Sequence, residues 1–244
     1  MEDRQLLPLI ERAYQKSRCP YGSPRVFQAL KRQGSRIGRK RVERLRREAG
    51  RRARAVKHYR QLAGLQRFFT SIENRRLVND KPTAADQQWA GDITCIKIAR
   101  QWRYLATVMD LYSRKIISWS SGTARNTQLT IGVLENAIKK RRPGKGLLFH
   151  TDRGSEYRSY EVQAVLSKHG IMPSMNRPYR SVDNAEMESF FKTLKGDVIR
   201  GVEYDCERSL RKGLLGYINH FYNSQRLHSS LGYRSPEEYE SITA

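Results

Sequence analysis

Cysteine is scarce in this sequence: Cys19, Cys95 and Cys206 are the three present, and no two stand in a C-x-x-C arrangement. That spacing offers neither a disulfide framework nor a thiolate zinc site, so the thiols read as core or surface groups. No run of eighteen apolar residues occurs, which argues against a membrane-spanning helix, and the opening MEDRQLLPLIER lacks the basic start and apolar stretch of a signal peptide. A soluble cytoplasmic chain with no membrane partner is expected. Acid is the other deficit: Asp and Glu number 24 against 47 Lys and Arg, a formal net charge of +23 over 244 residues. A polyanionic partner follows, and nucleic acid is the obvious one.

The basic excess is uneven. Residues 1–80 hold 22 Lys and Arg against 7 Asp and Glu, a net of +15, while residues 81–244 carry a net of +8. Apolar and aromatic runs lengthen after NDKPTAADQQ (79–88), where Pro82 and small or polar residues break the pattern. The division expected is a helical domain over 1–55, a basic linker over 56–84 and a larger domain over 85–244.

Leu6, Leu7, Ile10 and Tyr14 fall at helical spacing over 3–16, with Pro8 placed to shorten or kink that helix. A second helix is expected over 23–32, with Pro24 in its first turn and Gly34 as its stop. Residues 37–50, IGRKRVERLRREAG, add a third in which Val42 and Leu45 are apolar and most of the rest is basic. Two short helices joined by a turn, the second very basic, match a helix-turn-helix whose second helix enters the major groove. Arg39, Lys40, Arg41 and Arg44 are the candidate DNA contacts. A solvated basic helix is the plain alternative. Residues 51–78 stay basic and read as a stretch that tracks DNA.

The larger domain begins with three β-branched or aromatic runs, about 91–98, 102–109 and 115–121, which predict an antiparallel meander. A helix over 127–141, a strand over 147–150, a helix over 159–169, a strand over 171–175 and helices from about 184 follow. Such an order means a mixed α/β sheet flanked by helices. Trp89, Trp102, Tyr104 and Trp119 read as core residues, since they fall in or beside strands. His150 reads as structural.

The acids in this pattern are conspicuous. Asp92 lies in the first strand and Asp152 at the end of the fourth, and a fold that set these strands side by side would bring together two carboxylates that repel unless a cation sits between them. In SVDNAEMESFFKTLKGDV (181–198), Met187, Phe190, Phe191, Leu194 and Val198 make an apolar helix face, while Asn184, Glu188, Lys192 and Lys195 line another. Asp183 and Glu186 have the spacing of a capping box, which gives Glu186 a structural task and leaves Glu188 without one. Asp110 and Glu156 are further acids near the site, Asp110 also being placed to cap the turn DLYSR.

The ordered motifs GDIT, MDLYSRKIISW, HTDRGSEY, DNAEMESFFKTLK and YNSQRLHSSLGYRSPEEYE, together with YGSPRVFQALKRQGSRIGRKRVERLRREAG, resemble the second open reading frame of IS-three-family insertion-sequence transposases, relatives of retroviral integrases. Asp152 and Glu188 have 35 residues between them, the spacing of the family's Asp-Asp-Glu motif. The resemblance implies an RNase H-like core, a mixed five-stranded sheet flanked by helices, preceded by a small all-α helix-turn-helix-like domain. It carries Asp92, Asp152 and Glu188 over as catalytic metal ligands for two Mg²⁺ ions, with Mn²⁺ as a substitute, and implies 3′-end cleavage and strand transfer at the element's inverted repeats. Lys192 and Lys195 become candidate DNA contacts, an ordinary surface lysine being the plain reading of Lys195. Implied partners are double-stranded DNA, further copies of the chain on that DNA, and an upstream-frame helix-turn-helix and leucine-zipper protein or fusion.

One departure stands out. The loop NRPYRSVDNAE contains Pro178 and no glycine where the family commonly has one, which predicts a stiffer loop beside the acids. Two further readings remain: a non-catalytic DNA-binding regulator of transposition, and a ribonuclease of the same fold class. No role is assigned to RLHSSLGYRSP (226–236).

Overall fold

The computed structural model describes residues 3–16, 21–50, 72–98 and 101–243. Cys19 and residues 51–71, most of the expected linker, lie outside them. Three helices come first: α1 (Asp3–Lys16), α2 (Ser23–Arg32) and α3 (Arg39–Glu48). Helix α1 runs through Pro8 and is not shortened by it. Helix α2 opens with Pro24 in its first turn and stops just before Gly34, whose φ of +80° suits a residue without Cβ. The buried stripes meet as Leu6 and Ile10, Val26 and Leu30, and Val42 and Leu45. Arg46 is buried with them, donating to Ser23 Oγ at 3.1 Å and lying 5.6 Å from the Tyr14 ring, so this arginine pins α3 to its neighbours.

The larger body is a five-stranded mixed sheet in the order β3-β2-β1-β4-β5. Strands β1 (Gln88–Ile98), β2 (Gln101–Asp110) and β3 (Ile116–Gly122) form the expected antiparallel meander. Strands β4 (Leu148–Thr151) and β5 (Met172–Met175) add parallel to β1, reached through α4 (Thr127–Arg141), a short α5 (Ser155–Arg158) and α6 (Tyr160–Lys168). The turn after β2 is closed by Asp110, whose buried carboxylate accepts from the N–H groups of Asp86, Tyr112 and Ser113 at 2.7 to 2.9 Å.

Period-two alternation divides β1 between two cores. Trp89 and Ile93 join the cluster under α4 and α6, while Ala90, Ile96 and Ile98 join the cluster holding Met187, Phe190, Phe191 and Leu194 of α7 (Ala185–Leu194). Asp92 shares the second face, on the side of the sheet that α7 covers. Helix α7 is followed by a wider π-type turn over Lys195–Ile199, then α8 (Glu207–Tyr217) and α9 (Pro236–Thr243).

The aromatic expectation needs one correction. Trp89 is fully buried and Tyr104 and Trp119 are half-buried, but Trp102, at the start of β2, is 52% exposed, with the Lys97 ammonium 5.7 Å from its ring. The described end of the expected linker is also attached to the core. Arg75 N–H donates to Ser174 Oγ at 3.0 Å, and Met175 N–H donates to Glu73 O at 3.2 Å. The first domain docks on the C-terminal segment, where Leu227 N–H donates to Tyr21 Oη at 2.9 Å and Arg25 Nε donates to Leu227 O at 2.9 Å.

Candidate active site

Strand register builds the acid pair. In the parallel pairing of β1 with β4, Gly91 stands opposite Thr151, so the next residues along, Asp92 and Asp152, sit side by side. Gly91 is required there, because a Cβ would come within 2.5 Å of the Phe149 ring. Asp92 Oδ1 accepts from Ile93 N–H at 2.7 Å, and Asp152 Oδ1 accepts from Gly154 N–H at 2.9 Å. Burial, then the charge of Asp152, pushes the Asp92 carboxyl well above the usual carboxylate range, and burial likewise raises Asp152. Two carboxylates held this way favour a bound proton or cation, and hard oxygen donors suit Mg²⁺.

Arg125, in the loop between β3 and α4, supplies positive charge. Its guanidinium contacts Glu156 Oε1 at 2.5 Å through Nη2 and 2.6 Å through Nε, and lies 3.6 Å from Asp152 Oδ2. Glu156 is 5% exposed, so the expected nearby acid is present and its main partner is Arg125. Nothing in the sequence pattern singled out Arg125, since a loop residue belongs to no periodic stripe. Tyr157 was missed for a different reason: its buried ring packs edge-on against Phe149, as a core aromatic would, yet its Oη has no hydrogen-bond partner among the described residues.

Glu188 lies on α7 and is exposed, with no ion pair among the described residues. One turn earlier on the same helix line, Asn184 Nδ2 donates to Gly91 O at 3.4 Å, which sets this end of α7 against the strand position before Asp92. Among the described residues no three His, Cys, Asp or Glu side chains converge as a metal site, so Asp92 and Asp152 are brought together while Glu188 stands apart. Lys192 and Lys195 follow on the Glu188 side, both half-buried.

The expected capping box does not form. Asp183 instead accepts from Arg177 N–H (2.8 Å), Arg177 Nη2 (2.8 Å) and Asn74 Nδ2 (2.8 Å). Glu186 is held by Arg76 at 2.8 Å and Arg114 at 3.3 Å. A charged, forked guanidinium outcompetes a single local N–H, whether it comes from six residues earlier, as Arg177 does for Asp183, or from distant segments, as Arg76 and Arg114 do for Glu186. Glu186 is therefore a structural acid, though through ion pairs rather than a cap. His150 is structural as well: Ser174 Oγ, which already accepts from Arg75 N–H, faces Nδ1 at 2.9 Å, and Asn176 Oδ1 faces Nε2 at 2.8 Å. These partners assign the ring proton to Nε2, and burial lowers the His150 pKa to about 4, so the ring is neutral.

On α3, Arg39 and Lys40 are exposed and without ion pairs among the described residues. Arg41 and Arg44 both pair with Asp3 of α1 at 2.6 Å, and Arg44 also with Glu48 at 2.9 Å. A contact between either residue and DNA has to compete with those carboxylates.

Residues 82–181 and 169–236 match families described as integrase core domains, and residues 1–59 match an HTH-like domain. Transposase InsF of insertion sequence IS3A from Escherichia coli is 34% identical over 94% of this chain and 80% of its own length. The transposase of insertion sequence element IS904 from Lactococcus lactis is 33% identical over 96% of this chain and 93% of its own. Among solved structures, the simian T-cell lymphotropic virus intasome in complex with a PP2A regulatory subunit aligns over 96% of this chain and 74% of the matched chain, with a TM-score of 0.55 and 16% identity. The HTLV-2 integrase catalytic core in complex with magnesium covers 65% of this chain and 98% of that one, with a TM-score of 0.50 and 18% identity. These two likenesses establish an integrase-like fold, and with the sequence relatives they show that the chain belongs to the IS-three (IS3) family of insertion-sequence transposases.

Proposed function

We propose that this transposase cleaves the 3′ ends of its element and joins them to target DNA by direct, metal-dependent phosphoryl transfer. The observation that carries this reading is the register that sets Asp92 beside Asp152 at adjacent strand ends, both with raised carboxyl pKa values. Asp92, Asp152 and Glu188 would hold Mg²⁺, two ions, or Mn²⁺ in its place. Bound there, the metal supplies positive charge to the attacking and departing oxygens of the phosphodiester.

The residues of the chain do the rest. Two strands hold the carboxyl groups of Asp92 and Asp152 at a fixed spacing, so these oxygen donors are organised before DNA arrives. Asn184 fixes α7 against β1 and so sets the height of Glu188 over the sheet. Lys192 and Lys195 lie on the same side of α7 as Glu188, placed to meet phosphates of the element end. Arg39, Lys40, Arg41 and Arg44 would hold the duplex from α3, the last two after leaving Asp3. Further copies of the chain on DNA, and an upstream-frame partner carrying a leucine zipper, belong to the same reading.

A second reading is a non-catalytic regulator of transposition. It draws on Glu188 standing apart from the acid pair and on Arg125 already serving the acids as cation. One assay separates the two. A labelled duplex carrying the element's inverted repeat is incubated with the purified chain and Mg²⁺ or Mn²⁺, beside Asp152→Asn. Metal-dependent nicking or joining that disappears in the variant while duplex binding persists supports the transposase chemistry. Binding without product in any divalent ion, also after the upstream-frame protein is added, supports the regulator.

A further inference from the structure

The motif RLHSSLGYRSP takes no part in the acid site. Its Arg226, His228, Ser229 and Ser230 instead line a cavity of about 380 Å³. Two more arginines complete that wall from distant parts of the chain: Arg25 of α2 and Arg114 of the β2–β3 turn. Ser189 and Thr193 of α7 close the opposite side.

Positive charge in this cavity is not balanced from within. Glu186 is the carboxylate among the lining residues, and it is already shared between Arg76 and Arg114. Arg25 spends its Nε on Leu227 O. Arg226 is 5% exposed, and among the described residues it has no ion pair and its buried Nη1 has no hydrogen-bond partner. His228 Nε2 is likewise buried and without a hydrogen-bond partner among the described residues, and burial together with Arg226, Arg25 and Arg114 lowers its pKa to about 3, so the ring adds no charge. Burial and the nearby Arg226 also lower the Arg25 pKa, the signature of cations crowded together. Leaving a guanidinium buried and unpaired is costly, and an anion relieves it.

We propose that this cavity is a phosphate-binding site that holds a backbone phosphate of duplex DNA. Three guanidiniums with serine and threonine hydroxyls around them match a tetrahedral oxyanion with several acceptor oxygens. The duplex is favoured over a free phosphate by two observations. Net charge is +15 in residues 1–80, the part of the chain that brings Arg25. Arg25 also sits on the first helix of the helix-turn-helix pair, the one that in such motifs crosses the sugar-phosphate backbone. On α7, Glu186, Ser189 and Thr193 share one face, while Glu188 and Lys192 share another that Lys195, at the start of the turn that follows, continues. The phosphate held here is therefore a different one from the phosphate that would react, and it ties the position of the first domain on DNA to the helix that carries Glu188. The duplex source rests on the transposase reading; the anion chemistry does not.

The test uses the full chain with Arg226→Gln and Ser230→Glu, the second placing a carboxylate at the exposed rim. Duplex affinity is measured by fluorescence anisotropy across a salt series, and inorganic phosphate is titrated against chloride at constant ionic strength while the melting temperature is followed. Both variants are expected to weaken duplex binding several-fold and to make the slope of log affinity against log salt shallower by about 1. Phosphate is expected to raise the melting temperature of the unsubstituted chain and not that of the variants. Loss of phosphate protection with duplex affinity and salt slope unchanged overturns the DNA source and assigns the site to a small phosphate-bearing ligand. No difference in either measurement overturns the proposal altogether. If Arg226→Gln fails to fold by circular dichroism, Ser230→Glu decides alone. A chain that responds to phosphate in this way but binds no duplex would fail the transposase reading and keep the anion site.

Discussion

Arg125 contacts Glu156 Oε1 through both Nε and Nη2, at 2.6 and 2.5 Å, and the same guanidinium stands 3.6 Å from Asp152. It occupies the role of a cation among acids that repel. Arg125→Gln leaves Glu156 buried without its partner, and the half-open position of Arg125 limits the cost to roughly 1–3 kcal/mol in metal-free buffer. Excess Mn²⁺ should then raise the melting temperature of the variant more than that of the unsubstituted chain. Equal responses to metal would show that Arg125 and a divalent ion do not serve the same charges.

The sequence made the acid pair legible because register is a property of strands, and the strands announce themselves. β-branched and aromatic runs located β1 to β3, and the apolar run before Asp152 located β4. Helix α2 was readable to the residue because Pro24 and Gly34 punctuate both ends. The start of β1 was missed by three residues, since Gln88 to Ala90 are ordered by pairing with β4, some sixty residues away, and Trp89 and Ala90 also with the end of β2, and no local signal marks either. The capping box failed because arginines both near and far in sequence compete for its two acids. Asp183 and Glu186 have the right spacing, but Arg177, Arg76 and Arg114 reach them first. Ion pairs between distant segments follow from the finished fold, so neither Arg125 nor the arginine-lined cavity could be read in advance.

Asp183 makes a pH prediction. Its side chain is 4% exposed, and the Arg177 guanidinium beside it holds its carboxyl well below the usual carboxylate range. A group whose folded pKa is depressed stabilises the fold above its unfolded value near 3.8 and loses that contribution as pH falls through the folded value. Asp183→Asn is therefore expected to cost about 2 kcal/mol at neutral pH, the scale of a charge-assisted hydrogen-bond set. The gap between the two proteins in urea unfolding should close as pH falls below about 4. A gap that stays constant into acid would mean that Asp183 acts through shape rather than charge.

Tyr179 is 81% exposed and has a φ of +61°, a left-handed conformation, in the glycine-free loop before α7. The exposed ring buries little, so the backbone term decides. Tyr179→Gly should stabilise the chain by roughly 0.5–1 kcal/mol, the relief of left-handed strain less the added entropy of the unfolded chain. Urea midpoints measure this directly. A destabilised variant would show that the ring or the stiffness of the loop contributes to the fold.

Gly154 separates steric placement of the acids from backbone freedom. Its φ of −58° and ψ of 143° are open to any residue, so substitution by alanine brings no conformational penalty of the left-handed kind. The added Cβ, however, would lie 2.6 Å from Glu156 Oε1 and 2.9 Å from Asp152 Oδ1. Both carboxylates must shift, and with them the Gly154 N–H bond that orients Asp152. At Gly38 a Cβ would meet nothing within 4 Å, and φ is −86°, so Gly38→Ala serves as the comparison at a similarly permissive backbone. On the proposed chemistry, Gly154→Ala is expected to keep the circular dichroism spectrum and to lower metal-dependent strand transfer by at least about tenfold, since displacement of a group that positions the reaction by around 1 Å is enough for such losses. Gly38→Ala should leave the rate of transfer near that of the unsubstituted chain. Equal activity in the two variants would mean that the carboxylates re-settle around the new methyl group, and that the close approach of Glu156 to Gly154 is not what places Asp152.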